Sequence, residues 1–292
     1  MYAVIGITGQ VGGNVARTLL AAKQPVRAIM RNQSKAETWA KLGCEIAIAE
    51  IADTTALTAA FKETEGVFIV VPPNFDPSIN FSEARQIGAA LKSALCEARP
   101  AKVVYLSTIG AQATQQNLLT QHTIIENILS DLPMPITFLR PAWFMENLSW
   151  DLPCACEKRI IQSFLQPLEK KVPMVATSDI GRVGAHLLQE KWSNQRVIEL
   201  EGPQRVSPND IAAAFTQLLG RPIQIETVPR ETWEALFKSQ GMQNPNPRMQ
   251  MLDGFNEGWI DFEGGKIGSL KGAITLEAFL KPLIEQYGQR AG

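Results

Sequence analysis

The chain has 292 residues, with 28 Lys and Arg against 29 Asp and Glu, a net charge of −1, and 45% hydrophobic residues. That balance leaves no basic surface for a nucleic acid or an anionic membrane, and no apolar run approaches the roughly 20 residues that span a bilayer. The length suits one large or two modest domains. The first apolar segment runs straight into a glycine turn, unlike a secretion signal. Cys44, Cys96, Cys154 and Cys156 show no metal-ligand spacing beyond one C-x-C, so free thiols and a cytoplasmic location are expected, with no metal.

Ala3-Val4-Ile5 is long enough for a buried strand, and Gly6, Gly9 and Gly12 follow at three-residue spacing. Val15, Ala16, Leu19 and Leu20 then recur at helical spacing. Strand, glycine turn and helix together bring a pyrophosphate against the amides of a helix N-terminus. Gly6 permits the tight turn, Gly9 lets the backbone approach the phosphates, and Gly12 lets helix and strand pack closely. A glycine triplet alone is a weak signal. At the head of alternating strands and helices it points to a phosphate-bearing dinucleotide.

Residues 25–30 read as the second strand and 31–35 as a turn. Sites that take NAD place an acid about 20 residues past the glycines, bonded to the ribose 2′-hydroxyl. Here that place holds Arg31, with Lys35 nearby and no acid before Glu37. A guanidinium suits a 2′-phosphate through charge-assisted bonds, so NADPH is expected over NADH.

A third strand is expected over 44–49, with Asp53 capping the helix after it. A fourth, over 67–71, ends at Pro72-Pro73, which stiffen a loop where ligands bind in parallel sheets. A helix over about 80–98 leads to a fifth strand, 102–106, and then to Ser107-Thr108. A helix over about 115–130 carries His122 and Glu126 one turn apart. The sixth strand, 136–139, runs into Arg140-Pro141-Ala142-Trp143-Phe144-Met145-Glu146-Asn147. Such alternation predicts an α/β fold, a doubly wound parallel sheet (Rossmann fold), with residues 1–150 as the dinucleotide-binding domain.

Beyond residue 150 the pattern loosens. Residues 171–176 read as a further strand and 179–190 as a helix, so that about 171–200 return to the first domain. Ser207-Pro208 starts a helix that ends near Gly220, Asn244-Pro245-Asn246-Pro247 is a break, and 275–287 is a terminal amphipathic helix. Residues 151–292 are otherwise expected to form a smaller α/β substrate-binding cap.

With Gly6-Ile7-Thr8-Gly9-Gln10-Val11-Gly12, Arg31-Asn32, Ser107-Thr108 and Arg140-Pro141 in register, the sequence resembles the NmrA-like family, atypical members of the extended short-chain dehydrogenase/reductase superfamily. Asp179-Ile180-Gly181, Glu201-Gly202-Pro203, Leu219-Gly220-Arg221-Pro222 and Thr275-Leu276-Glu277 extend the resemblance over nearly the whole chain. The family includes NADPH-dependent quinone oxidoreductases, and also regulators that bind the dinucleotide and report redox state to partner proteins. The resemblance implies that Thr8 to Gly12 hold the pyrophosphate and Arg31, with Lys35, the 2′-phosphate. It implies that Val71-Pro72-Pro73 and Pro141 to Phe144 surround the ribose and nicotinamide, with Ser107 and Thr108 at the same edge. The family's acid after the third strand falls at Ile51, with Asp53 just beyond.

Short-chain dehydrogenases use Tyr-x-x-x-Lys to pass a proton to an alkoxide. The tyrosines here are Tyr2, Tyr105 and Tyr287, and four residues after them lie Gly6, Ile109 and Ala291. The motif is absent. Counting back from Glu126, His122 takes the lysine's place and Leu118 the tyrosine's. His122 is therefore the candidate for a catalytic or cofactor-orienting role, able to bond the nicotinamide ribose or to shuttle a proton near neutral pH. His186 is expected to pack within its helix, and Arg140 to be a structural anchor. Trp143, Phe144 and, less so, Trp150 could wall a flat aromatic substrate, with Asn147 bonding to it and Glu146 bonding either backbone or substrate. The sequence therefore predicts an oxidoreductase that passes hydride from NADPH to a quinone-like acceptor. The alternative is a redox-sensing regulator that binds a protein partner without turnover.

Overall fold

The computed structural model describes residues 1–291. β1 (Tyr2–Ile5) leads through the glycine turn to α1 (Gln10–Ala21), β2 (Val26–Met30), α2 (Ala36–Lys41), β3 (Glu45–Ile48), α3 (Thr54–Phe61) and β4 (Gly66–Ile69). Then come α4 (Ser82–Ala98), β5 (Val103–Leu106), α5 (Thr120–Leu129), β6 (Ile136–Pro141) and β7 (Trp143–Phe144). β8 (Ile160–Ser163), β9 (Met174–Val175), α6 (Thr177–Gln189), β10 (Arg196–Glu201), α7 (Pro208–Leu219) and β11 (Gln224–Thr227) follow. The chain closes with α8 (Trp233–Ser239), α9 (Asn246–Glu257), α10 (Gly265–Gly268), β12 (Leu270–Lys271) and α11 (Leu276–Ala291).

Eight strands form one sheet in the order β12-β10-β6-β5-β4-β1-β2-β3, and every neighbouring pair is parallel. Strands covered on both faces read as unbroken apolar runs, and β1, β4 and β5 are buried at every residue. Successive side chains of β1 serve opposite layers. Val4 joins Val15 of α1 and Ile180 of α6, whereas Ala3 and Ile5 join Leu57 of α3, Leu91 of α4 and Ile125 of α5. The winding runs outward from β1 through β2 and β3, then crosses back to β4. That reversal opens a crevice at the carboxyl ends of β1 and β4.

Local chemistry sets the element ends. Asp53 caps α3 by accepting the Ala56 amide at 3.0 Å, Ser207 and Asp210 form a capping box on α7, and Gly220 ends α7 at φ +65°. The helix expected from about 115 begins only at Thr120. Asn117 Oδ1 takes the Leu119 amide and Thr120 Oγ1 takes the Asn117 amide, building a turn instead. The 244–247 break is also a start, because α9 carries Pro247 in its first turn.

The second half rejoins the sheet differently from the expectation. Of residues 171–176 only β9 forms, and it pairs with β7 outside the main sheet. The strand that extends the sheet is β10, beside β6, and β12 adds to its edge. β10, Arg-Val-Ile-Glu-Leu-Glu, mixes charge with apolar residues and so lacks a buried strand's signature. α6 packs against α1 through small residues: a Cβ on Gly181 would fall 2.3 Å from Asn14 Cβ, and one on Gly184 would fall 2.6 Å from the Phe68 ring. The remainder of the second half holds the parallel pair β8–β11 and helices α7 to α9.

Arg140 ties these parts together. Its Nε and Nη2 donate to Glu126 of α5 at 2.9 and 2.6 Å, and its Nη1 donates to Glu263 at 3.0 Å. The Arg140 and Glu126 side chains are each only 8% exposed. Removing one member of such a pair strands the other charge, at a cost of about 3–5 kcal/mol. Arg140→Ala is expected to lose stability of that order in urea denaturation. The double change Arg140→Ala, Glu126→Gln should recover part of it, and a loss below about 1 kcal/mol for the single change would show that the anchor is dispensable.

Candidate functional site

β1 ends at Ile5, and Gly6 turns the chain at φ +72°. The Gly9 amide donates to the Gly6 carbonyl at 2.9 Å. A Cβ on Gly12 would fall 2.4 Å from that same carbonyl oxygen, so only glycine lets α1 start this close to the strand. α1 has Gly9 as its N-cap, with no side chain capping it. Among the described residues, the amides of Gln10, Val11 and Gly12 find no acceptor. Unpaired amides at the positive end of a helix dipole form an anion site.

Two hollows adjoin the turn. One, of about 480 Å³, is lined by Thr8, Gly9, Gln10, Asn14 and Arg17 on one side and by Glu146 and Thr177 on the other. The second, of about 300 Å³, passes Ile7, Thr8, Gly9 and Arg17 to reach Lys35, Thr38, Trp39 and Leu42. Of the residues singled out from sequence, Thr8, Gly9, Gln10 and Lys35 line these spaces, and Val11 and Gly12 lie buried behind them. Arg31 is exposed beyond the end of β2 and lines neither.

Arg17 was not singled out from sequence, yet it lines both hollows. Its guanidinium sits 5.2 Å from the Trp39 ring centroid and forms no ion pair among the described residues. It lies two turns into α1, and helical side chains lean toward the N-terminus, which returns it to the turn. That spacing was the available signal. Glu146, weighed from sequence as bonding backbone or substrate, faces the larger hollow and bonds the backbone at the start of α6. Its Oε1 accepts from the Thr177 amide at 2.9 Å and from Thr177 Oγ1 at 2.5 Å, while Oε2 is buried without a partner. Burial raises its carboxyl above the ordinary range, against the opposing Thr177 bonds.

The other expected residues gather along the neighbouring carboxyl ends. Val71, Pro72 and Pro73 follow β4, Ser107 and Thr108 follow β5, and Pro141 closes β6 with Ala142, Trp143 and Phe144 after it. They line neither hollow. Ser107 is buried and its Oγ has no partner. Trp143 is half-buried and packs edge-on against Phe255 of α9 at 5.1 Å, and Phe144 and Asn147 are half-buried. Trp150 is 63% exposed, with the Phe75 ring edge-on at 6.5 Å. Asp53, the acid nearest the expected adenine contact, is spent on the cap of α3.

His122 is partly buried, and its Nδ1 lies 2.8 Å from the hydroxyl of fully buried Tyr105. Burial lowers its pKa to about 4, so the ring is neutral at neutral pH and unsuited to the proton shuttling considered from sequence. His186 departs from the packing expected of it. It lies on the exposed face of α6, its Nε2 3.2 Å from Glu190 one turn on, because Val183, Leu187 and Leu188 take the buried face. Among the described residues no group of His, Cys, Asp or Glu is placed to hold a metal, and no helix is long and apolar enough to cross a membrane.

The strand order, the glycine turn at the first strand and the crevice beside it define a Rossmann-type α/β protein. The profile of the NmrA-like family matches residues 2–269, and the chain belongs to that family. It is 29% identical over 260 residues to the NAD(P)H azoreductase of Xenophilus azovorans, covering 88% of this chain and 85% of the relative. It is 26% identical over 247 residues to quinone oxidoreductase 2 of Escherichia coli, covering 83% and 82%. The fold is shared with the NADPH complex of the Escherichia coli NADPH-dependent quinone oxidoreductase (TM-score 0.74, 23% identity, all of both chains). It is also shared with the NADP(H) complex of a Citrobacter triphenylmethane reductase (TM-score 0.77, 22% identity, 98% and 99%).

The imidazole of His122 makes stability pH-dependent. The unfolded chain takes up its proton near pH 6.5 and the folded chain near pH 4, so the unfolded state binds more protons between those values. Stability is full above about pH 6.5 and falls as pH drops toward 4. The full shift corresponds to about 2 kcal/mol between pH 7.5 and 5, and with the ring's partial access to solvent discounted about 1 kcal/mol should be lost. His122→Asn should flatten that slope in urea denaturation. An equal slope in wild type and variant would show that the ring titrates as it does in the unfolded chain.

Proposed function

We propose that the protein is an NADPH-dependent oxidoreductase that reduces a quinone or a similar conjugated acceptor. The observation that carries this reading is the glycine turn: three unpaired amides at the start of α1, with two hollows beside them. The diphosphate would lie on the amides of Gln10 to Gly12, and the adenosine 2′-phosphate among Lys35, Arg17 and Arg31. The cradle admits such a group because Gly12 could hold nothing larger than hydrogen, and the orphan Ser107 Oγ supplies a hydroxyl farther along the same edge. Ser107, Thr108, His122 and Pro141 to Phe144 would bound the nicotinamide end. Trp143, Phe144 and Asn147, with the second-half segments outside the main sheet, would cap the acceptor.

When bound, the nicotinamide supplies the hydride. The chain's own contribution is alignment and exclusion of water. Reducing a simple ketone creates an alkoxide that demands a strong proton donor, which a chain without Tyr-x-x-x-Lys lacks. Reducing a quinone creates a phenolate-like anion with a pKa of about 10, which water can protonate. The relatives are named for reducing azo compounds, quinones and triphenylmethane dyes, and all of these are conjugated acceptors. The missing catalytic pair also favours a second reading, a dinucleotide-sensing regulator that reports to a protein partner. NADPH oxidation with a panel of quinones and azo dyes tests the choice. Acceptor-dependent loss of the reduced cofactor's absorbance supports the reductase, tight binding with no loss supports the regulator, and no binding of NADPH sinks both.

Cofactor selectivity supplies a further check. Arg17→Ala and Arg31→Glu should each weaken NADPH binding by about 10- to 100-fold and NADH binding by less than about threefold, measured by calorimetry. Equal losses for the two cofactors would refute the 2′-phosphate assignment. Gly9→Val should abolish binding of both, because a branched side chain would stand between the amides and the diphosphate.

A further inference from the structure

Tyr105 is the penultimate residue of β5 and is fully buried. Its hydroxyl has one hydrogen-bond partner among the described residues, His122 Nδ1 at 2.8 Å. Glu126, an acid on the same helix, makes no hydrogen bond to it, and its two carboxylate oxygens accept from Arg140. The direction of the Tyr105–His122 bond follows from what burial forbids. If Nδ1–H donated, the phenol's own proton would be left in the core without an acceptor, at a cost of about 1–3 kcal/mol. If the phenol donates, both the hydroxyl and Nδ1 are satisfied. The imidazole proton then resides on Nε2, which has no protein partner and is reached by solvent. His122 is further held by its own helix. Gln121 Nε2 donates to the Asn74 carbonyl in the loop after β4, and Thr123 Oγ1 donates to the Ala111 carbonyl.

We propose that Tyr105 is a positioning residue: by donating to Nδ1 it locks His122 as the Nε2–H tautomer, a neutral hydrogen-bond donor beside the carboxyl ends of β4 and β5. The buried tyrosine of the strand thus serves the helix residue that stands where a lysine would otherwise supply a charge. A neutral N–H suits a ribose hydroxyl or an acceptor carbonyl and transfers no proton of its own at neutral pH. Glu126, one turn on from it, is taken up by Arg140, which also holds Glu263, and His122 itself forms no ion pair among the described residues. The functional half of this inference rests on the reductase reading. The tautomer half does not.

The chain has two histidines, so His186→Gln leaves one imidazole to observe. In long-range nitrogen–proton spectra of that variant, labelled with ¹⁵N-histidine at neutral pH, His122 should show protonated-type Nε2 and unprotonated-type Nδ1. Adding Tyr105→Phe, which keeps the ring and removes the donor, should bring in the other tautomer. An Nδ1–H form in the parent, or a spectrum unmoved by Tyr105→Phe, overturns the proposal, and neither result depends on turnover. For the function, Tyr105→Phe and His122→Ala should each lower kcat/KM with a quinone by about tenfold. The double variant should be no worse than His122→Ala alone, because the phenol acts through the ring. Additive losses overturn the positioning role. Should the parent show the tautomer but oxidise no NADPH with any acceptor, it is the reductase reading that fails.

Discussion

The approach of Gly12 to the Gly6 carbonyl is the constraint on which this structure turns. With no side chain at either position, α1 begins in contact with the end of β1, and its first amides face outward with nothing in the protein to accept them. A Cβ at residue 12 would push the helix back and close the angle from which an anion could reach those amides. A buried helix end without partners is unfavourable. One that opens onto a hollow bordered by Arg17 is instead complementary to a phosphate.

The second half of the chain bears on that same turn through α6. Gly181 and Gly184 let α6 lie against Asn14 and Phe68, and the first residue of α6, Thr177, is held by Glu146 from the segment after β6. The wall of the larger hollow therefore comes from three distant stretches: the glycine turn, the exit of β6 and the start of α6. Close packing of small residues makes this junction stiff, since there is little side chain to rearrange. The buried Arg140–Glu126 pair and the Arg140–Glu263 contact brace the far end of the same edge. The positions of α5, β6 and the segment before β12 are thereby coupled.

Burial also decides what the titratable groups can do. The Tyr105–His122 pair sits where the low dielectric keeps both rings uncharged, so hydrogen bonding governs it and ionic chemistry does not. Arg17, by contrast, is exposed, lies over the buried Trp39 ring and forms no ion pair among the described residues, so its donors remain free. The carboxyl ends of the strands thus carry a neutral pair beside β5 and cations beside β1 and β2.

The sequence by itself determined the first six strands, their winding and the glycine turn, because glycine spacing, apolar runs and caps such as Asp53 and Ser207 act over a few residues. It also placed Thr8, Gly9, Gln10 and Lys35 near one another, since they follow the adjacent strands β1 and β2. What it could not disclose came from contacts between distant segments. β10 was hidden because its charged residues break the apolar run, and β12 is only two residues long. Arg17 and Glu146 have no motif of their own. Only the tertiary structure set Glu146 against Thr177, Arg17 between the two hollows, and Tyr105 under His122. Those juxtapositions depend on how helices pack across the sheet, and no local pattern encodes that distance.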